Sequence, residues 1–143
     1  MAMIELPSRY LLFHGSIVLF IGLLSGIPMG SAINRKKGEE AVRAWRVAHS
    51  GLIMDGLLML IIALIVPYLQ VGELAVWTLV WVLVISGYGF VMALPLGAWK
   101  GYRGLVPKPH GINTIVYAGN VIGVVGSLVG IAIVIFGSLR ALY

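Results

Sequence analysis

Four apolar stretches, each long enough to cross a lipid bilayer, dominate this sequence. A membrane-spanning helix needs about 20 mostly apolar residues, and residues 10–31, 49–69, 74–98 and 113–139 reach that length. The alternation of apolar and polar residues that is typical of barrel strands is absent from them. We therefore predict that residues 1–143 form one all-α domain, an integral membrane four-helix bundle.

The composition excludes several classes of protein. Hydrophobic residues make up 60% of the chain and charged residues 10%, whereas a soluble domain carries about 25% charged residues. The chain contains no cysteine, which excludes disulfides, thiolate nucleophiles and iron–sulfur clusters. An ordinary soluble enzyme, a disordered chain and a disulfide-stapled secreted module are therefore excluded.

The basic residues are distributed unevenly between the two ends of the predicted bundle. Of the 10 Lys and Arg residues, loop 32–48 carries five, loop 99–112 carries three, and the turn at 70–73 carries none. The positive-inside rule predicts that both loops are cytoplasmic and that both termini lie outside, in the inner (cytoplasmic) membrane. The basic residues that set the membrane topology thus account for the net charge of +5. We predict that the chain associates with the lipid bilayer and does not bind nucleic acid.

Glycines recur at four-residue spacing in the first and fourth stretches. Rows of small residues allow helix backbones to approach closely in a membrane. Packing within one bundle and packing between subunits both remain open from the sequence. The glycines concerned are Gly22, Gly26, Gly30, Gly119, Gly123, Gly126 and Gly130.

Asp55 is the one acidic residue inside a predicted span. A charged side chain at the centre of a membrane helix costs about 2.5–3.5 kcal/mol on insertion scales, so such residues mark functional sites. No Lys or Arg lies deep in any span to neutralise it. We expect Asp55 to be protonated, to bond a hydroxyl or amide such as Tyr88 or Asn120, or to face a polar ligand.

The three histidines are the other ionisable candidates. A neutral imidazole is a good axial ligand for haem iron, and the chain offers no cysteine for that role. His49 lies at the entrance of the second stretch, and His14 lies one turn into the first. His110, in a loop between Pro109 and Gly111, is less constrained.

His49 and Asp55 lie six residues apart on one predicted helix. Their side chains therefore point about 120° apart and are separated by about 9 Å along the axis. One helix cannot easily aim both at the same face of a flat cofactor. If both belong to one active site, the simplest arrangement takes His49 from one subunit and Asp55 from a neighbour.

Three short motifs carry a family resemblance. They are Ala48-His49-Ser50-Gly51-x-x-x-Asp55-Gly56 with Trp45-Arg46 before it, His14-Gly15 in the first span, and Arg103-Gly104-Leu105 after the third. In these motifs the chain resembles the styrene oxide isomerase family, whose members are small four-helix membrane enzymes. The resemblance covers the first two helices well and the rest more loosely.

The resemblance implies a homotrimer that binds haem b, with His49 as the axial ligand of the iron. It also implies an isomerase that converts a small apolar aromatic epoxide to an aldehyde by Lewis-acid ring opening and a 1,2-hydride shift. Asp55 stands where the family has an asparagine, and Tyr88 matches the family's third-helix tyrosine only if a shift of a few residues is allowed. Asp55 and Tyr88 are the candidate catalytic residues, which would orient the substrate oxygen.

Other functions remain open at this point. The run Leu12-Phe13-His14-Gly15 is similar to hydroxylaminobenzene mutase, which rearranges an aryl hydroxylamine to an aminophenol. A non-catalytic haem-binding or electron-transfer subunit would use two axial ligands, with His14 facing His49. A small transporter would use Asp55 as a proton or cation site, although the internal repeat usual in carriers is not evident.

Overall fold

A computed structural model describes residues 5–143 of the chain, and this part contains helices and connecting turns but no strand. Five α-helices follow one another along the sequence. A single turn of 3₁₀ helix, Val66–Tyr68, follows the third of them. The α-helices are α1 (Leu6–Leu24), α2 (Gly26–Asn34), α3 (Glu39–Ile65), α4 (Glu73–Lys100) and α5 (Ile112–Arg140).

Four helical segments are long and apolar enough to cross a membrane, which confirms the predicted all-α four-helix fold. They are Leu6–Asn34, Glu39–Tyr68, Glu73–Lys100 and Ile112–Arg140. The chain is thus a multi-pass membrane protein. The largest difference from the predicted limits lies at α3, which begins at Glu39 and not at residue 49. Residues 39–48 carry charged side chains, and they extend the helix beyond the apolar stretch.

The first span is broken at Ser25 into α1 and α2. Pro28 has no N–H group, so the carbonyl of Leu24 lacks the usual donor four residues later. The hydroxyl of Ser25 donates to the carbonyl oxygen of Ile21 at 2.9 Å, and bonds of this kind often bend helices. The break in the first span therefore lies one turn before Pro28.

The bundle consists of two tightly packed helix pairs, α1 with α3 and α4 with α5, joined by contacts of α4 with α1 and α3. Helix α4 is the most buried of the four spans and α5 is the least buried. The outward face of α5 carries exposed apolar side chains such as Leu128 and Ile135, as expected of a helix that faces lipid. The core includes Leu11, Val18, Leu52, Met59, Leu79 and Leu83.

The glycine rows are used for packing inside one chain. A Cβ atom at Gly22 would lie 2.7 Å from the backbone nitrogen of Ile53 on α3, and one at Gly119 would lie 2.8 Å from the carbonyl oxygen of Gly89 on α4. A Cβ atom at Gly30, in contrast, would meet no described atom within 4 Å. Close helix approach within the bundle therefore accounts for most of both rows, and the trimer stays a prediction.

Candidate functional site

His49 is held at the break in the first span by a hydrogen bond to α1. Its Nδ1 atom lies 2.8 Å from the carbonyl oxygen of Gly22. Because a carbonyl oxygen can only accept, Nδ1 carries a proton and is the donor of this bond. Within residues 5–143, Nε2 has no hydrogen-bond partner. The arrangement fixes one ring nitrogen against α1 and leaves the other without a partner in the described part of the chain.

Glycine provides the space that the half-buried ring occupies. A Cβ atom at Gly26 would lie 3.1 Å from Cε1 and 3.2 Å from Nδ1 of His49. A larger residue at Gly26 would therefore push the ring away. The hydrogen bond from Nδ1 and the contact with Gly26 together fix the direction of the imidazole, as second contacts do for metal-binding histidines.

One oriented imidazole can supply a single ligand to a metal centre. No group of three or more His, Cys, Asp or Glu side chains that could hold a metal ion exists among the residues that the structure describes. A bare zinc ion needs three or four protein ligands, whereas haem iron takes its equatorial ligands from the macrocycle and needs only an axial ligand from the protein. One oriented imidazole, His49, satisfies the second requirement.

Asp55 lies on a different side of α3, where it faces α4. A Cβ atom at Gly87 would lie 3.1 Å from Oδ2 of Asp55. This oxygen is buried and has no hydrogen-bond partner among the described side chains and backbone. The carboxyl group therefore has an unfilled acceptor position next to α4.

The hydroxyl and amide groups suggested as partners for Asp55 bond elsewhere. The hydroxyl of Tyr88 lies 3.0 Å from Nδ1 of His14. The amide nitrogen of Asn120 donates to the carbonyl oxygens of Arg103 and Gly104, at 3.1 and 3.3 Å. The sequence suggested that Asp55 is protonated, bonds a residue such as Tyr88 or Asn120, or faces a polar ligand. The bond to Tyr88 or Asn120 is not formed in this chain.

A groove of about 500 Å³ runs beside Asp55 between α3 and α4. We call it the Asp55 groove. Asp55 is its only ionisable lining residue, and it opens on the outer surface of the bundle, where Met54 is 70% exposed. An apolar molecule could therefore enter it from the lipid. Its lining residues are Gly51, Met54, Asp55, Leu57, Leu58, Ile61 and Phe90.

Tyr88 and His14 belong to an aromatic cluster between α1 and α4, and neither residue lines the Asp55 groove. Their rings meet edge to face with centroids 5.7 Å apart, a favourable arrangement of aromatic rings. Tyr88 is 36% exposed, so its hydroxyl group remains accessible from outside the bundle. The cluster consists of Tyr10, Phe13, His14, Trp77, Trp81 and Tyr88.

The three histidines do not meet within one chain. His14 precedes Gly22, the partner of His49, by eight residues, which is about 12 Å along a helix. His14 bonds Tyr88 rather than facing His49. His110 is exposed in the loop before α5. The pair of axial ligands suggested for an electron carrier is therefore not assembled by this chain alone.

Sequence reasoning missed the glycines that shape both sites. Gly22 and Gly26 were recognised only as a packing row, yet one accepts the bond from His49 and the other makes room for its ring. Gly87 was not singled out, although it lies against Asp55. The four-residue spacing of Gly22 and Gly26 was a usable signal, but its connection to His49 depends on how α1 crosses α3.

Comparison with known proteins finds a family model that matches this chain. Residues 7–139 match the family model described as styrene oxide isomerase, which covers nearly the whole chain. No curated protein gives a significant match to the chain. The match includes α3 with His49 and Asp55, and it extends through α4 and α5, where the motifs alone gave the weaker resemblance.

Proposed function

This chain belongs to the styrene oxide isomerase family, and we propose that it is a haem b-dependent isomerase that converts an aryl epoxide to an aldehyde. Membership of the family points to an isomerase of this type, in a multi-pass membrane protein. The observation that carries the haem assignment is the bond from Nδ1 of His49 to Gly22, which leaves Nε2 free. Haem dependence, substrate and mechanism belong to the proposal.

His49 would hold the haem through Nε2, while its Nδ1–H group stays on the Gly22 carbonyl. When bound, ferric haem supplies a Lewis acid that polarises the carbon–oxygen bond of the epoxide. The chain contributes the orientation of the imidazole. A carbonyl acceptor on Nδ1–H also raises the basicity of the coordinating nitrogen.

The net reaction rearranges one molecule and needs no co-reactant. The bond between oxygen and the benzylic carbon breaks, and its electron pair goes to oxygen. A hydride moves from the neighbouring carbon to the benzylic carbon, and an oxygen electron pair completes the carbonyl group. Because positive charge develops on carbon during this change, water has to be excluded or a diol forms instead.

Asp55 is proposed to act on the charge that develops in the substrate. Its Oδ2 atom is buried without a partner beside a groove that is otherwise apolar. An oxygen fixed in such surroundings interacts more strongly with a developing charge than it would in water. Tyr88 is proposed as the second orienting residue, because the bond to His14 fixes a hydroxyl group that remains partly exposed.

We propose that the active site forms between subunits of a homotrimer. His49 contacts α1 through Gly22, whereas Asp55 contacts α4 at Gly87, so the two side chains leave α3 in different directions. A substrate that needs both groups is then best served by His49 of one subunit and the Asp55 groove of another. The proposed setting is the inner membrane, with loops 32–48 and 99–112 on the cytoplasmic side and both termini outside.

Product analysis tests the proposed reaction directly. Purified protein loaded with haem is given an aryl epoxide, and the aldehyde is quantified by chromatography, with haem alone as the control. The proposal predicts aldehyde at a rate that depends on the protein. An aryl hydroxylamine is tested in parallel, because Asp55 places an acidic group where the family has an amide. Aminophenol without aldehyde would favour the mutase instead.

A further inference from the structure

A second hollow, of about 750 Å³, lies between α3 and α4 near the loop before α5. We call it the vestibule. Its floor is apolar and includes Ala93 and Leu94, whereas its rim carries Glu40, Arg43 and Lys100. Charged side chains at this rim favour contact with water, in contrast to the Asp55 groove, where one carboxyl group is the only ionisable group.

The roof of the vestibule is fixed by hydrogen bonds. The backbone nitrogen of Tyr102 donates to the carbonyl oxygen of Gly97 at 2.9 Å. Asn120 on α5 donates to the carbonyl oxygens of Arg103 and Gly104. These bonds hold the loop after α4 in place over the vestibule.

The vestibule and the Asp55 groove follow the same faces of α3 and α4. On α3 their lining residues succeed one another at helical spacing, with Ala44 and Val47 in the vestibule and Gly51 and Met54 in the groove. On α4, Leu94 of the vestibule lies one turn from Phe90 of the groove. Residues spaced by three or four share one side of a helix. The two hollows therefore lie one after the other along the same side of the α3–α4 pair.

Leu94 of the vestibule meets Gly51 of the Asp55 groove where the two hollows approach each other. A Cβ atom at Gly51 would meet one described atom within 4 Å, the Cδ1 methyl group of Leu94 at 3.2 Å. At Gly22 and Gly56, in contrast, backbone atoms of the neighbouring helix stand in the way. A side-chain end can rotate, and a packed backbone cannot. The junction of the two hollows is thus a contact that one rotamer change would open.

We propose that Leu94 is a hydrophobic gate that separates the hydrated vestibule from the dry Asp55 groove. The inference deepens the proposed function and rests on it, since a dry groove is what keeps an aryl epoxide from becoming a diol. Leu94 acts by excluding water from the groove, and no bond to the substrate is assigned to it. Gly51 contributes to the gate, because a residue without a side chain lets the Leu94 methyl group reach α3.

Cysteine accessibility tests the gate without reference to catalysis. The chain has no cysteine, so single cysteines can be placed without background. Ala44→Cys reports on the vestibule, Met54→Cys on the groove, and Leu64→Cys on a lipid-facing position that lines neither hollow. Each is made with Leu94 intact and with Leu94→Ala, and full-length protein in membrane fragments is treated with a charged methanethiosulfonate.

The gate predicts a specific pattern of labelling rates. Ala44→Cys reacts at the same rate in both backgrounds, and Leu64→Cys reacts in neither. Met54→Cys reacts slowly with Leu94 and about tenfold faster with Leu94→Ala, the change that corresponds to about 1.4 kcal/mol in an opening equilibrium. Equal rates at Met54→Cys in the two backgrounds would overturn the gate. If Leu94→Ala does not accumulate in the membrane, Leu94→Val provides the same comparison.

The products give a second, separate readout. With an aryl epoxide, Leu94→Ala is expected to raise the ratio of diol to aldehyde, because one water molecule adds to the substrate in place of the hydride shift. Leu94→Met, which keeps the length of the side chain, is expected to retain the wild-type ratio. A chain that makes no aldehyde in any form would contradict the proposed function, while the labelling rates would still decide whether the gate exists.

Discussion

The Nδ1 atom of His49 donates a hydrogen bond of 2.8 Å to the carbonyl oxygen of Gly22. This bond joins the second span to the first at the turn where α1 breaks, and it leaves the other ring nitrogen without a partner in the described part of the chain. The proposed haem site depends on this relationship. It also links the proposed haem site to the packing of α1 against α3.

Gly22→Ala should weaken both the fold and the cofactor site. The new Cβ atom would lie 2.7 Å from the backbone nitrogen of Ile53, and overpacking of this kind costs about 1–3 kcal/mol. We expect a lower unfolding temperature in detergent and less haem per protein. Gly30→Ala is the matched control, since its Cβ atom meets nothing described within 4 Å. Equal losses in the two variants would contradict the packing argument.

Asp55→Ala should reduce turnover while leaving haem binding intact. Loss of one preorganised group in a low-dielectric site lowers kcat by about 10²-fold. Asp55→Asn, which restores the amide of the family, should retain most of the activity. The measurements are aldehyde formation and haem content of the same preparations. Full turnover by Asp55→Ala would remove this residue from the mechanism.

Tyr88→Phe separates a catalytic role from a packing role. The hydroxyl of Tyr88 and Nδ1 of His14 share one hydrogen bond of 3.0 Å. If the hydroxyl group orients the substrate, Tyr88→Phe should lower kcat more than His14→Phe does, with the unfolding temperature lowered similarly in both. Equal kcat values in the two variants would mean that the bond serves only the α1–α4 contact.

Mixing two variants of low activity tests the proposed site between subunits. His49→Ala and Asp55→Ala are co-expressed with different affinity tags, and mixed oligomers are purified through both tags. If each site takes His49 from one subunit and Asp55 from the next, every mixed trimer restores one of its three sites, which is roughly a third of the wild-type number. No activity above that of either variant alone would argue for a site within one subunit.

Much of the fold could be predicted from the sequence. The four spans follow from apolar length alone, because lipid leaves the backbone few options other than helix. The start of α3 at Glu39 was not predicted, because hydropathy marks the limits of the apolar stretch and not the limits of the helix. The break at Ser25 follows from Pro28 only once the missing donor to the Leu24 carbonyl is considered.

The candidate site was predicted in part. The six-residue spacing of His49 and Asp55 predicted divergent side chains, and the structure places one against Gly22 and the other against Gly87. The bond between Tyr88 and His14 joins residues 74 positions apart. Such a pair depends on the rotation of α4 relative to α1, which hydrophobic patterning does not specify in a helix that is apolar on all sides.

The optical spectrum of the purified, haem-loaded protein tests the central claim most directly, that His49 holds a haem. We predict a Soret band in the wild-type protein and in His110→Ala, whose histidine is exposed in a loop, and its loss from His49→Ala after removal of free haem. A Soret band of unchanged position and height in His49→Ala, or no band in the wild-type protein, would contradict the assignment.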